Sequence, residues 1–248
     1  MAALRAACRL VRALVHALGG LATIVFVFPR LTVGQRNARV QAWAAGMLRV
    51  LGIGLQVHGQ PPAHGPVLLV ANHISWLDIL VMHAARHCRF VSKAEVRHWP
   101  LIGRLATGGG TLYIERASRR DAMRVVHQMA ERLRAGDILG VFPEGTTGDG
   151  TTLLPFHANL VQAAISADAP AQPVALQFID DASGRPSRSP SYLGDETLVG
   201  SLWRTLAGPP FTAHVAYGPP QLAGGRERRA WAADLRAAVQ ALLRGPRA

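Results

Sequence analysis

The sequence predicts an α/β protein with a mostly parallel sheet flanked by helices, preceded by an N-terminal helical segment that associates with a membrane. Three observations support this prediction. Short, continuous apolar runs such as residues 66–70 are typical of strands buried on both faces of a parallel sheet. Segments with helical periodicity alternate with these runs, as in α/β folds. The N-terminal segment is both apolar and basic, which favours an anionic membrane surface.

The composition bounds the class of protein. At 248 residues the chain is long enough to bury the core of one α/β domain. Its hydrophobic content of 49% and mean hydropathy of +0.16 are high for a soluble protein and low for a membrane protein with many spans. Two cysteines, Cys8 and Cys88, are too few for a disulfide framework, which indicates a reducing compartment.

Charge is distributed unevenly along the chain, whose net charge is +12. The first acidic residue is Asp78, and seven arginines precede it: Arg5, Arg9, Arg12, Arg30, Arg36, Arg39 and Arg49. Such a bias points to a polyanion, either nucleic acid or an anionic membrane surface. A GC-rich genome would explain why Lys93 is the only lysine, but it would not explain arginines without acidic residues.

The N-terminal segment, residues 1–51, is predicted to form two membrane-associating helices. Between Arg12 and Arg30 lie seventeen residues without a formal charge, fewer than the about 20 apolar residues that span a bilayer. A signal peptide and an ordinary core helix are the alternatives, although no small-x-small cleavage site follows the apolar stretch. We favour a membrane-embedded or half-inserted helix flanked by arginines, followed by an amphipathic helix over residues 36–51.

The remaining residues divide into an α/β domain, 52–225, and a C-terminal amphipathic helix, 226–248. Six strands are predicted, at residues 55–58, 66–70, 88–92, 111–114, 137–142 and 173–178. Helices are predicted at residues 75–86, 119–134, 158–167 and 226–244. Residues 181–191 are rich in Ser, Arg, Pro and Gly, which predicts a mobile loop.

His73 and Asp78 are candidate catalytic residues directly after the strand predicted at 66–70. Positions i and i+5 of a helix are about 140° apart, so the side chains meet only if His73 precedes the helix and Asp78 lies in its first turn. Asn72 and Ser75 are suitable caps there. Asp78 would then accept a hydrogen bond from His73 Nδ1–H, leaving Nε2 free to take a proton from a hydroxyl. The alternative is a capping histidine with Asp78 at a helix N-terminus.

The chain lacks a serine nucleophile motif, which limits the reactions that His73 and Asp78 could catalyse. No Gly-x-Ser-x-Gly nucleophile elbow occurs in the chain, so a covalent serine route has no support. A His-Asp pair without a protein nucleophile suits direct attack by a substrate alcohol on an activated acyl group. His83 and His87, at i and i+4 of a predicted helix, lack the glutamate of HExxH and further ligands, so we predict no metal site.

A loop of glycines, hydroxyls and two carboxylates follows the strand predicted at 137–142. Glycines let the backbone approach a ligand closely, and backbone N–H groups can stabilise an oxyanion. The alternative is a tight turn closed by Asp149 and Gly150. Arg116, after the strand predicted at 111–114, would emerge at the same sheet edge and suits phosphate or carboxylate. Its alternative role is a surface salt bridge.

Four sequence blocks together resemble those of a known family. They are residues 72–78, with the H-x4-D spacing of His73 and Asp78, and residues 110–116, 142–146 and 172–176. In this order they resemble the glycerolipid and lysophospholipid acyltransferases, the family of bacterial 1-acyl-sn-glycerol-3-phosphate acyltransferases. The resemblance covers roughly residues 50–220 and includes the segment around Lys93.

The resemblance implies transfer of a fatty acyl group from acyl-ACP or acyl-CoA to the free hydroxyl of a lysolipid, with no other cofactor. It implies His73 as general base and Asp78 as its orienter. The substrate-binding residues that it implies are Lys93, Arg116, Glu144, Gly145, Thr146 and Thr147. Its expected acceptor is 1-acyl-sn-glycerol-3-phosphate, giving phosphatidic acid, at the cytoplasmic face of the bacterial inner membrane.

One departure from the family pattern bears on the acceptor. In many members the third block continues with Arg and Ser, whereas here Thr147, Gly148 and Asp149 follow. A hydroxyl therefore replaces a phosphate-binding cation, with a carboxylate two positions on. This leaves room for a lysolipid with an amine head, such as lyso-ornithine lipid, whose cation Asp149 could pair with.

Three further functions are weighed against acyl transfer. A non-catalytic basic membrane-binding module explains the N-terminus but not the placing of His73 and Asp78. A nucleic-acid binder would fit the pI of about 11.4, but no zinc-finger spacing or aromatic stacking series supports it, so no nucleic-acid partner is expected. A thioester hydrolase would use His73 to activate water instead of a lipid hydroxyl.

Overall fold

The computed structural model describes residues 2–114 and 119–245. Its α-helices are α1 (Ala2–Ala22), α2 (Val33–Leu51), α3 (Leu77–Ala85), α4 (Ile102–Gly108), α5 (Arg119–Arg134), α6 (Ala158–Ala167), α7 (Leu198–Ala207) and α8 (Arg228–Arg244). Its strands are β1 (Gly54–His58), β2 (Val67–Ala71), β3 (Arg89–Lys93), β4 (Leu112–Ile114), β5 (Ile138–Val141), β6 (Ala171–Asp180) and β7 (Phe211–Tyr217). A π-helical turn, Thr23–Val27, and a 3-10 turn, Phe28–Arg30, connect α1 to α2.

The strands form one sheet in the order β1-β7-β6-β2-β5-β3-β4. Five neighbouring strands, from β6 to β4, are parallel. Strand β7 runs antiparallel to β6, and β1 runs parallel to β7, so these two strands point the other way. The predicted α/β class with a mostly parallel, helix-flanked sheet is confirmed.

Strand β2 lies inside the sheet because its sequence, Val-Leu-Leu-Val-Ala, buries side chains on both faces. Val67, Leu69 and Ala71 join one core, with residues from α2, α3 and the N-terminal helix α1. Leu68 and Val70 join a second core on the opposite face, which α5, α6 and α8 complete. The continuous apolar run therefore packs against helices on both faces of the sheet, as expected of a buried parallel strand.

Helices α1 and α2 form the predicted N-terminal hairpin. His16 and Trp43 join the two helices through reciprocal hydrogen bonds to each other's main-chain carbonyls, at 2.9 Å and 3.1 Å. A capping box between Thr32 and Gln35 begins α2. The segment from Ala2 to Arg30 is the single helix of the described chain that is long and apolar enough to cross a membrane. Only 11% of its most apolar window is buried, which argues against an ordinary core helix.

The structure also contains elements that the sequence patterns did not predict. Helices α4 and α7 and strand β7 were not expected. Residues 181–191 form the predicted loop, which consists of turns and bends with one isolated bridge. The Arg204 guanidinium donates hydrogen bonds to the carbonyls of Arg188, Ser189 and Ser191, and the Ser187 amide donates to the Phe178 carbonyl at 2.7 Å. These hydrogen bonds connect the loop to α7 and β6, and its mobility stays a prediction.

Candidate active site

The candidate site lies where β2 and β5 end at the carboxyl edge of the sheet, the edge at which α/β sheets bind ligands. Asn72 follows β2 and is buried. Its side-chain amide donates to the Leu176 carbonyl at 3.0 Å and accepts from the Leu176 amide at 2.7 Å. Because Leu176 belongs to β6, this pair of hydrogen bonds fixes the start of the loop that carries His73.

His73 and Asp78 contact each other as helix geometry requires. His73 lies in the loop before α3, and Asp78 lies in the first turn of that helix. His73 Nδ1 lies 2.7 Å from Asp78 Oδ2. The Asp78 side chain is 0% exposed and that of His73 is 19% exposed, so the imidazole reaches the surface while its partner is buried.

The Asp78 carboxylate also orders the loop around His73. Its Oδ2 accepts hydrogen bonds from the main-chain amides of Ile74, at 2.6 Å, and Ser75, at 2.9 Å. An ionised carboxylate only accepts hydrogen bonds, so this network assigns the His73 proton to Nδ1. The lone pair of Nε2 is then available to take a proton.

Glu144 holds the same loop from the opposite side. One carboxylate oxygen accepts from the His73 amide at 2.7 Å, and the other accepts from the Leu154 amide at 2.8 Å. Burial raises the pKa of Glu144, and its two backbone hydrogen bonds oppose that rise. Both oxygens are therefore engaged with the main chain, whereas the family resemblance implies a substrate-binding role for Glu144.

An aromatic ring supports the imidazole. Phe142 follows β5 and stacks on His73, with ring centroids 4.0 Å apart and an interplanar angle of 9°. Phe90 stacks behind Phe142 at 5.5 Å and 8°. The sequence patterns did not single out Phe142, although its position immediately before Pro143 and Glu144 is a signal that could have done so.

The loop after Glu144 closes over the main chain of His73. Gly145 has a positive φ of 73°, and its amide donates to the Phe142 carbonyl at 3.1 Å. The Gly148 amide donates to the His73 carbonyl at 2.7 Å. Thr146 is exposed, and the Thr147 hydroxyl donates a hydrogen bond to the carbonyl of Tyr192. The structure thus brings Gly145, Thr146 and Thr147 close to the predicted base.

Asp149 forms a local turn. Its carboxylate accepts hydrogen bonds from the Thr151 hydroxyl at 2.6 Å, the Thr151 amide at 2.8 Å and the Thr152 amide at 3.2 Å. These bonds, the Thr151 hydroxyl first among them, lower the pKa of Asp149. Asp149 consequently presents a negative charge at the rim of the site.

The two predicted cationic residues are placed differently. Lys93 is the last residue of β3 and is exposed at the same sheet edge as His73. Arg116 lies outside the described residues. Lys93 therefore offers one positive charge on this edge of the sheet.

The described residues contain no cluster of three or more potential metal ligands. His83 and His87 stack in the interior with ring centroids 5.2 Å apart. Burial lowers their pKa values to about 3 and about 4, respectively, so both are neutral at pH 7.

Comparisons with known proteins agree with this architecture. Residues 54–177 match the profile of the Acyltransferase family. The chain is 40% identical over 184 residues to the 1-acyl-sn-glycerol-3-phosphate acyltransferase of Neisseria gonorrhoeae, covering 74% of this chain and 71% of the relative. It is 38% identical to the lyso-ornithine lipid O-acyltransferase of Pseudomonas aeruginosa, covering 99% of this chain and 96% of the relative.

A solved structure shows the same fold. The crystal structure of the 1-acyl-sn-glycerophosphate (LPA) acyltransferase PlsC from Thermotoga maritima superposes with a TM-score of 0.66 at 19% identity. The match covers 95% of this chain and 96% of that one. From the family profile and the extent of its similarity to these relatives, the chain belongs to the acyltransferase family.

Proposed function

We propose that the protein transfers a fatty acyl group from acyl-ACP or acyl-CoA to the free hydroxyl of a lysolipid. The observation that supports this most directly is the buried Asp78 carboxylate 2.7 Å from His73 Nδ1, which leaves Nε2 available as a base. No other cofactor or metal ion takes part in this proposed reaction.

The proposed step is direct attack without an acyl-enzyme. His73 Nε2 takes the proton of the acceptor hydroxyl as its oxygen attacks the thioester carbonyl. Asp78 stabilises the imidazolium that forms, and Phe142 holds the ring in place. When the tetrahedral intermediate collapses, the carbon–sulfur bond breaks and the leaving thiolate receives the proton from His73. The products are an ester and a free thiol.

The loop at residues 145–147 is proposed to stabilise the oxyanion of that intermediate. The Gly145 and Gly148 amides are already engaged with the carbonyls of Phe142 and His73. Within the described chain, the amides of Thr146 and Thr147 have no hydrogen-bond acceptor and remain available. Backbone donors held in a fixed loop suit a charge that develops only during reaction.

The first proposed acceptor is 1-acyl-sn-glycerol-3-phosphate, giving phosphatidic acid. Exposed Lys93 supplies one cation at the carboxyl edge of the sheet, and Arg116 is proposed as a second. The Neisseria relative, 40% identical to this chain, carries that acceptor in its name.

The second proposed acceptor is lyso-ornithine lipid, favoured by the chemistry of residues 147–149. The hydroxyl of Thr147 donates to the carbonyl of Tyr192, so this position supplies no cation for a phosphate. Asp149 instead places an anion at the rim, where an acceptor's ammonium group could pair with it. The Pseudomonas relative that covers 99% of this chain is a lyso-ornithine lipid acyltransferase by name.

A product assay distinguishes these acceptors. Purified enzyme would receive lysophosphatidic acid or lyso-ornithine lipid, each with acyl-ACP and with acyl-CoA, and lipid products would be quantified. If Asp149 binds an amine head, Asp149→Asn lowers turnover of lyso-ornithine lipid selectively. Asp168→Asn, an exposed acid at the end of α6, is the matched control. Preference for lysophosphatidic acid, unchanged by Asp149→Asn, would rule out the amine acceptor.

We further propose that the enzyme acts at the cytoplasmic face of the inner membrane, with α1 lying in one leaflet. Helix α1 packs along α2 and α7 instead of projecting away from the domain. Its bonds to α2 through His16 and Trp43 would be lost if α1 alone crossed the bilayer. Exposed Val11 and Val15, together with Phe26 of the following π-helical turn, form an apolar face suited to acyl chains.

A further inference from the structure

A cavity of about 580 Å³ lies between the N-terminal hairpin and α4. One side of it is apolar, with Ile24 and Val25 from the π-helical turn. Four arginines also line it: Arg36 from α2 of the hairpin, and Arg89, Arg97 and Arg104 from outside the hairpin. His73, Asp78 and Glu144 do not line this cavity, so it is separate from the candidate active site.

Two of the four guanidinium groups are already engaged. Arg89 pairs with Asp137 at 2.9 Å, and Arg36 Nε donates to the Phe28 carbonyl at 2.9 Å. Arg97 and Arg104 are exposed, and neither has a hydrogen-bond or ion-pair partner within the described chain. Among the residues that the structure describes, none that lines the cavity is acidic, so the charge of this lining is positive.

Guanidinium groups bind phosphate oxygens in a bidentate manner. Contact between water and the apolar side chains of Ile24 and Val25 is unfavourable. A matching ligand therefore needs an apolar group as well as an anionic one. Val25 is 53% exposed and continues the apolar face of α1 that is proposed to lie in the membrane. A ligand that enters from the bilayer with an anionic head and a hydrocarbon chain satisfies both walls.

We propose that this cavity binds one bilayer phospholipid, with its phosphate on Arg97 and Arg104 and part of an acyl chain against Ile24 and Val25. A free phosphate ion would leave the apolar wall uncovered. An acidic carrier protein would meet the arginines but not the apolar wall beneath them. The cavity is therefore a lipid-binding site beside the proposed membrane-facing helix α1. It is distinct from the candidate active site, where the acceptor reacts.

Native mass spectrometry of the detergent-purified protein tests the proposal. The protein would be offered phosphatidylglycerol, diacylglycerol with the same chains, or inorganic phosphate. We expect one retained phosphatidylglycerol per chain, no retained diacylglycerol, and no competition from phosphate at tenfold excess over the lipid. Displacement of the lipid by phosphate, or equal retention of diacylglycerol, would overturn the proposal.

Charge variants locate the site. Arg97→Gln with Arg104→Gln should lower phosphatidylglycerol retention by about tenfold or more, because each loses a charge-assisted bond. Arg97→Lys with Arg104→Lys should retain an intermediate amount. The matched control is Arg228→Gln with Arg229→Gln, which removes the same charge from exposed positions on α8. If the control lost as much phosphatidylglycerol, the lipid would be held by general charge attraction, which would contradict a specific binding site.

A last variant tests whether this lipid-binding site is separate from the active site. His73→Ala should abolish acyl transfer and leave phosphatidylglycerol retention unchanged. Loss of retention in His73→Ala would place the bound lipid in the active site and overturn the inference. Unchanged retention with full acyl transfer would instead count against the proposed mechanism alone.

Discussion

The loop around His73 and the N-terminal hairpin of α1 and α2 distribute polar and apolar side chains in opposite ways. Near His73, polar groups are buried: Asp78 and Glu144 are 0% and 5% exposed. On α1 and the π-helical turn that follows it, apolar groups are exposed: Leu4 and Phe26 are 72% and 68% exposed. A buried carboxylate is costly unless it is hydrogen-bonded, and an exposed apolar face is costly unless its surroundings are apolar.

The difference shows that the two regions are adapted to different surroundings. Around His73, backbone amides replace water and hold the Asp78 and Glu144 carboxylates in place. On α1, the exposed apolar side chains suit contact with the acyl chains of a membrane. A substitution in the His73 loop should therefore leave the N-terminal hairpin unaffected, and a substitution in the hairpin should leave the His73 loop unaffected.

The largest expected effect comes from removing the base. His73→Ala should lower kcat by about 10²–10⁴-fold, because no group then takes the acceptor proton. Asp78→Asn should lower kcat strongly as well, since it favours the wrong imidazole tautomer. Turnover of a lysolipid in detergent micelles measures both. His127→Ala, at an exposed position on α5, is the control, and vesicle binding should not change. Wild-type turnover by His73→Ala would refute the mechanism.

The next effect concerns the exposed face of α1. Val11→Glu with Val15→Glu should weaken vesicle binding by about 10²-fold or more, because burying each valine in the membrane contributes roughly 1.5 kcal/mol. Both positions are more than half exposed, so the melting temperature should not change. Vesicle sedimentation measures the partitioning. Met123→Glu with Leu222→Glu, at exposed sites outside the hairpin, should bind vesicles normally.

A smaller effect is expected for the carboxylate that fastens the His73 loop. Glu144→Gln should destabilise the fold by about 1–3 kcal/mol, because its amide N–H₂ faces one of two backbone donors. We expect kcat to fall while the KM values for donor and acceptor change little, since the loop that is loosened carries the base. Steady-state kinetics and thermal melting measure these effects. Glu131→Gln, which is exposed, is the control. A raised acceptor KM with unchanged kcat would instead support direct substrate binding by Glu144.

The smallest expected effect is a pH dependence of the stability of the fold, caused by the buried histidines His83 and His87. Burial lowers the pKa of His83 to about 3 and that of His87 to about 4. Between pH 6.5 and 4 the unfolded chain therefore binds more protons than the folded chain, so stability falls as pH falls. At pH 5.5 the loss should be roughly 1 kcal/mol per histidine.

Denaturation at pH 7 and pH 5.5 measures this loss. His83→Phe should reduce it by about half, because one of the two buried imidazoles no longer titrates. His64→Phe, at an exposed position, should leave the pH dependence unchanged. An undiminished loss in His83→Phe would show that other groups cause the acid sensitivity.

Local patterns predicted much of the fold because their physical causes are local. Helices α5 and α6 begin and end where apolar periodicity predicted them. Strand β7 was missed because its buried positions, Phe211, Ala213, Val215 and Tyr217, alternate with polar or small residues and resemble no continuous run. Helix α7 was missed because its ten residues bury only one stripe, against distant elements.

For the site, the sequence determined the spacing that lets Asp78 reach His73, since a loop residue and a first-turn residue are neighbours in the chain. It also determined the apolar, basic character of the first fifty residues. The tertiary structure alone decided that Glu144 binds the amide of His73, 71 positions away, and that Phe142 stacks on its ring. It likewise decided that four arginines and an apolar wall line one cavity. Such contacts depend on strand order and helix packing, which join residues that no local pattern relates.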